Sequence, residues 1–168
     1  MESNIEDMVN IIVGVDVDQF KQHIEALEYH GTTAVFCEID KNPYSWIYQP
    51  SRKHESHRII CTGNFSPTNN NQSTPENRIT ATIEFTDEIS YEGILDNLTR
   101  IPLHPTYIAH HFSKYTYPIQ NSQTRNVIKN LKSVLAPYGF FFTGRFADWE
   151  YYNMDVSMGA AMDTIKGI

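Results

Sequence analysis

The chain has 168 residues, 40% of them hydrophobic and 20% charged, which suits one folded domain spanning 1–168 and excludes wholesale disorder. Thirteen Lys and Arg against twenty Asp and Glu leave a formal charge of −7. A nucleic-acid backbone is repelled overall, and only a local basic pocket could hold an anion. No apolar run reaches the roughly 18 residues of a membrane span. The start, Met1-Glu2-Ser3-Asn4-Ile5-Glu6-Asp7, is acidic and lacks a basic n-region, so the expected location is the cytoplasm.

Taken in chain order, the first 28 or so residues hold one short helix. Asp16 or Asp18 can cap it, and Phe20, Ile24 and Leu27 follow at helical spacing. Gly31 to Ile39 is β-branched and apolar, a strand. Tyr44 to Tyr48 alternates and reads as its hairpin partner, and His57 to Thr62 as a third strand. Ser66 to Asn77 is polar, nearly uncharged and rich in asparagine, so the segment 66–77 reads as a loop between strands. Arg78 to Thr86 alternates cleanly, with Ile79, Ala81, Ile83 and Phe85 on one face.

Ser90 to Arg100 suits a helix around Ile94, Leu95 and Leu98, closed by Pro102 and Pro105. Tyr107 to Tyr117 has the aromatics of a long strand. Val127, Ile128, Leu131 and Leu135 mark a helix from Ser122, ended by Pro137 and Gly139. Phe140 to Thr143 reads as a short apolar strand, and Asp155 to Ile165 as a last helix. The sum is an α+β domain, a mainly antiparallel sheet flanked by three or four helices.

Most of the usual chemistry is missing. The two cysteines, Cys37 and Cys61, lie in strand-like runs and read as buried free thiols. His110 and His111 are adjacent on a strand, so they face opposite ways and cannot share a metal. His54 and His57 sit beside Arg52 and Lys53 and read as part of a solvated loop. There is no metal-ligand set, no serine in a strained glycine elbow and no glycine-rich phosphate loop.

The C-terminal third is different. Between a strand and a helix, Thr143-Gly144-Arg145-Phe146-Ala147-Asp148-Trp149-Glu150-Tyr151-Tyr152-Asn153-Met154-Asp155 gathers an arginine, aromatics, an amide and carboxylates. A glycine before an arginine lets backbone approach an anion closely, with a guanidinium beside it. Asn153 or Asp155 could cap the helix that follows, whose N-terminus carries positive potential. A salt-bridged arginine in an aromatic corner would use the same residues.

This stretch resembles the C-terminal flavin-binding signature of UDP-galactopyranose mutases and related flavoproteins of the amine-oxidase and protoporphyrinogen-oxidase type. That signature runs Gly-Arg, Tyr, then a Met-Asp opening the last helix. Further pieces fall in order. Tyr117-Pro118-Ile119 with Asn121 resembles the family's Tyr-Pro-Val/Ile segment. His57-Arg58-Ile59-Ile60 followed by Asn64-Phe65-Ser66 resembles its strand with a second arginine, and Trp46-Ile47-Tyr48 the hairpin before it. The resemblance runs from about Gly31 to Ile165. Two features depart from the family. Its G-x-G-x-x-G dinucleotide unit is absent, and its Tyr-Leu-Asp-Met-Asp ending becomes Tyr151-Tyr152-Asn153-Met154-Asp155.

The resemblance implies the substrate-binding and C-terminal FAD-contacting part of a mutase-like flavoprotein. The parent would act on a nucleotide sugar in surface polysaccharide biosynthesis, as an isomerase that positions the sugar while the flavin carries the chemistry. It places Gly144, Arg145, Asn153, Met154 and Asp155 against the flavin. Arg58, Arg145, Tyr117 and Tyr151 would hold the substrate's diphosphate and sugar, with the two arginines beside one diphosphate, or else neutralised by an acidic neighbour such as Asp148 or Glu150. No residue of this chain is assigned a catalytic role, and no metal is expected. The alternatives are an amine-oxidase-like FAD oxidoreductase and a stand-alone non-catalytic module binding an anionic small molecule. FAD is expected in the parent rather than bound to this chain, whose natural partner would be the missing Rossmann half. An exposed patch at Trp149, Tyr151 and Tyr152 is expected to favour self-association.

Overall fold

The computed structural model describes residues 5–167. They form two compact units, one taking the chain up to His30 together with Tyr117 onward, the other Gly31–Thr116. The second unit rests on a five-stranded sheet of β1 (Tyr29–Asp40), β2 (Trp46–Tyr48), β3 (Ser56–Ile60), β4 (Arg78–Thr86) and β5 (Thr106–Pro118), in the spatial order β2-β3-β4-β1-β5.

Alternation decides which face is buried. Val35, Cys37 and Ile39 of β1, Ile59 of β3, and Ile79, Ala81, Ile83 and Phe85 of β4 point into a core closed by Ile94, Leu98 and Ile101. Ile94 and Leu98 belong to the helix α3 (Tyr91–Leu98), which Ser90 caps by accepting a hydrogen bond from the Gly93 amide at 3.1 Å. The opposite sheet face carries Phe36, Arg58, Thr80, Thr82 and Glu84.

The hairpin expectation for Tyr44–Tyr48 is corrected. β2 pairs with β3, not β1, and β1 pairs antiparallel with β4 over eight residues from Thr33↔Phe85 to Asp40↔Arg78. The alternating nine-residue β4 matches β1 along its length, whereas β2 offers only three residues.

The segment 66–77 is tied down by its asparagines. Asn70 Oδ1 accepts the Thr80 amide at 2.9 Å, Asn70 Nδ2 donates to the Gly63 carbonyl at 3.0 Å, and Asn69 Nδ2 to the Thr62 carbonyl at 2.9 Å. Gly63 is required there, since a Cβ would lie 2.1 Å from Asn70 Oδ1 and 2.9 Å from the Thr80 amide nitrogen.

His54 is also corrected. It is 8% exposed rather than solvated. Its Nδ1 lies 3.0 Å from Ser56 Oγ, which also donates to Gln49 Oε1 at 2.6 Å. The loop is drawn down by Asn97 of α3, whose Oδ1 accepts the Glu55 amide at 2.7 Å.

The first unit is helical, with α1 (Ile5–Ile11), α2 (Asp18–Glu25), α4 (Thr124–Leu135) and α5 (Met154–Lys166). The single expected N-terminal helix is thus two, which raises the described α-helices to five. Its core joins Ile5 and Val9 of α1, Val17 with Phe20 and Ile24 of α2, Ile128, Leu131 and Leu135 of α4, and Trp149. Phe140 to Thr143 is not a strand. Gly139, at φ +81°, ends the turn after α4. Phe142 alone of the three phenylalanines packs on that core, while Phe140 and Phe141 stay exposed.

Candidate functional site

The Gly144-Arg145 turn is built from a carboxylate outward. Gly144 takes φ +118°, where a Cβ would be strained. Asp148 Oδ2 accepts its amide at 2.9 Å and the Thr143 hydroxyl at 2.9 Å, and the Asp148 amide returns to the Gly144 carbonyl at 2.8 Å. Lys132 of α4 completes the staple by pairing with Asp148. Trp149 follows at φ +53°, a sparsely populated conformation for a bulky residue. Two contacts hold it there, burial of the indole and an Nε1 hydrogen bond of 3.0 Å to the Ile119 carbonyl.

The turn presents Arg145. Its Nε and Nη2 both donate to the Tyr152 carbonyl, at 2.9 and 2.6 Å. Its guanidinium carbon stands 5.5 Å from the Tyr117 ring centre and 5.0 Å from that of Tyr151. The two tyrosine rings stack at 5.5 Å with planes 8° apart. Three of the four substrate-site residues expected from the sequence, Tyr117, Arg145 and Tyr151, therefore form one cluster although 34 positions separate the first from the last. Cation–π attraction to two rings holds the guanidinium in a defined orientation.

Next to the Tyr152 carbonyl, α5 begins. Asn153 is its N-cap in extended conformation, with no hydrogen bond from its side chain to the helix amides, and the Ser157 amide closes the first turn on the Asn153 carbonyl at 2.9 Å. Met154 is 85% exposed, and Asp155 is exposed beside it. The expected helix start agrees with the structure. The expected aromatic patch is corrected: Trp149 is 3% exposed, so it belongs to the core rather than to a surface patch with Tyr151.

Arg58 lies on the outer face of the sheet in the other unit. Within that unit its carboxylate partner is Glu84, directly opposite it on β4, and the guanidinium also lies 5.1 Å from the Trp46 ring centre. Burial raises the Glu84 pKa, but hydrogen bonds from His57 and Arg58 outweigh it and hold the carboxyl below its ordinary value. Within its own unit Glu150 is bound by Arg125 and Gln120. The sequence carries a signal for Glu84, a lone carboxylate on the outer face of an alternating strand between inward Ile83 and Phe85. No local motif ties it to Arg58.

Among the described residues there is no group of three or more His, Cys, Asp or Glu able to hold a metal ion, and no helix long and apolar enough to cross a membrane.

No protein family and no curated protein matches the sequence. The fold does match solved structures. A reduced UDP-galactopyranose mutase superposes with a TM-score of 0.79 over 98% of this chain, at 17% identity. A protoporphyrinogen oxidase-like protein from Exiguobacterium sp. 255-15 superposes with a TM-score of 0.54 over 95%, at 10% identity. The chain spans about two fifths of the length of each, 40% and 39%. The α+β fold with a mainly antiparallel sheet, expected from the order of elements in the sequence, is the fold observed.

Proposed function

We propose that the chain is the substrate-binding and C-terminal flavin-contacting part of an FAD-dependent enzyme of the UDP-galactopyranose mutase type, acting on a nucleotide sugar. The observation that carries this reading is the Arg145 cluster, on a fold that superposes on a mutase along 98% of the chain.

The residues suit the group they would meet. Arg145 brings a fixed positive charge to the residue before an α5 N-terminus that no side chain caps. Together they favour an electronegative ligand edge, either a phosphate or the rim of a flavin. Gly144, Asn153, Met154 and Asp155 are the neighbours that would contact the flavin. FAD would supply the reaction's electron-rich centre, and this chain would bind and orient. Arg58 would contribute charge toward the substrate's phosphates, while Tyr117 and Tyr151 would hold Arg145 in place and offer their ring edges to the ligand. With no G-x-G-x-x-G stretch in the sequence, the dinucleotide's pyrophosphate finds no glycine cradle here. A role in polysaccharide biosynthesis, a cytoplasmic location and a Rossmann-type partner segment follow from the same reading.

The likeness to the protoporphyrinogen oxidase-like protein supports a second reading, an FAD oxidoreductase. The test is turnover by the flavin-loaded protein isolated from its source. The first reading expects UDP-galactopyranose and UDP-galactofuranose to interconvert with no net consumption of reductant, and Arg145→Lys to lower kcat/KM at least about tenfold because the bidentate fork is lost. Oxidation of a substrate with reduction of oxygen, and no interconversion, would establish the second reading and overturn the first.

A further inference from the structure

Helix α5 is 13 residues long, yet none of them is buried and none belongs to either core. Its half-buried positions are small residues, among them Ser157, Ala160, Ala161 and Thr164. Beside them run Met154, Met158, Met162 and Ile165, which are 85, 68, 58 and 72% exposed. Their spacing along the chain sets these four in one stripe on the helix surface. A helix of about 12–15 residues is marginal in water, and packing of its apolar face normally supplies its stability. Four large apolar side chains in one solvent-facing stripe therefore mark a surface that another body covers. Methionine suits such a surface, because its flexible thioether adapts to the contours of a partner.

Charge, area and position select that body. Two copies of the chain repel, since each carries a formal charge of −7. Stripe against stripe would also bury only on the order of 400 Å² per copy, about half of the ~800 Å² per partner in a stable interface. A bilayer surface fits no better. The polar side of α5 sets Asp155 and Asp163 against Lys166, whereas helices that lie on membranes present a basic face.

Position supplies the positive argument. On the flavoprotein reading, Asn153, Met154 and Asp155 at the start of α5 meet the flavin, and no glycine cradle for the pyrophosphate occurs in the sequence. One ribityl chain ties that pyrophosphate to the flavin, so the body that holds it stands beside α5. The chain spans 40% and 39% of the two solved structures it superposes on, and each carries further polypeptide beyond the shared fold. We propose, resting on the flavoprotein reading, that the stripe of Met154, Met158, Met162 and Ile165 is the docking face for the dinucleotide-binding body. That body receives α5 in an apolar groove, with a basic margin that meets Asp155 and Asp163.

The test compares methionine oxidation by dilute hydrogen peroxide in the 168-residue chain and in the flavin-loaded protein isolated from its source, read by mass spectrometry. Met158 and Met162 decide it, because they lie beyond the first-turn residues assigned to the flavin. In the isolated chain both should oxidise within about twofold of the denatured rate, and in the flavin-loaded protein at least about tenfold more slowly. Met158→Asp combined with Met162→Asp should leave the amide spectrum of the isolated chain unchanged, since both positions are exposed. The same pair should lower the FAD recovered with the source protein at least about tenfold. Undiminished FAD in the double variant, or protection in the isolated chain that grows with its concentration, would overturn the proposal. FAD present with Met158 and Met162 freely oxidised would overturn the docking face alone. A source protein free of FAD with both methionines still protected would overturn the flavoprotein reading and this partner together.

Discussion

Arg58 and Arg145 are held in different ways. Arg58 meets a carboxylate, and Arg145 meets a backbone carbonyl and two stacked rings. Arg58→Ala should therefore remove one of the two donors, Arg58 and His57, that hold the largely buried Glu84. The expected loss of unfolding free energy at neutral pH is about 2 kcal/mol, the scale of a hydrogen bond to a charged group. Because the folded Glu84 pKa is lowered, its stabilisation is present above the ordinary glutamate value and disappears as pH falls through the folded value. The difference between wild type and variant in urea denaturation should shrink over that window. A constant difference from neutral pH down through the folded value would contradict the pairing. At the same scale, burial pushes the Cys37 thiol up to about 12, and Cys61 is raised too, again chiefly by burial. Both thiols should resist a disulfide reagent in the native protein at mildly alkaline pH and react in denaturant. Rapid native labelling of either would contradict their burial.

Helices α3 and α5 differ in how they start. Ser90 bonds the Gly93 amide, while the Asn153 side chain bonds nothing in the first turn of α5. Ser90→Ala should cost about 1 kcal/mol, whereas Asn153→Ala should stay within about 0.5 kcal/mol, the range of an uninvolved surface position. Equal losses in chemical denaturation would show that Asn153 caps after all, and that the α5 amides are not waiting for a ligand. Much at this scale is legible in the sequence. The alternation of Arg78–Thr86, the 3.6-residue recurrence from Val127 to Leu135 and the capping serine at 90 each name their element because local pattern and tertiary burial agree. The differences have separate physical causes. The Phe140–Thr143 run has the composition of a strand, but only Phe142 enters a core and the run pairs with no strand. Adjacency in sequence favours Tyr44–Tyr48 as the partner of β1, while length and register give β1 to β4. The signal for α1 is thin, resting on Ile5 and Val9 four positions apart. The charged neighbours of His54 suggest solvent, but the hydrogen bonds that bury it come from Gln49, Ser56 and the docking of its loop on α3.

At the scale of the whole molecule, the candidate site is legible residue by residue, because short motifs single out Tyr117, Arg145 and Tyr151 and the structure joins them. The groups that hold them, Glu84 for Arg58 and the Tyr152 carbonyl for Arg145, are not, since a cross-strand neighbour or a carbonyl leaves no motif. The purified chain should be colourless, with no flavin absorption after isolation, because nothing in its sequence cradles the pyrophosphate of FAD. A stoichiometrically yellow chain would contradict that. Whether Arg145 and its two tyrosines hold the anionic part of a nucleotide can be decided by titrating the labelled chain with UDP and following the Arg145 Nε–H signal by NMR. The expected result is a saturable shift of that signal together with the Tyr117 and Tyr151 rings, abolished in Arg145→Ala while the remaining amide spectrum is kept. A signal unmoved by UDP, or ring shifts that survive Arg145→Ala, would contradict it.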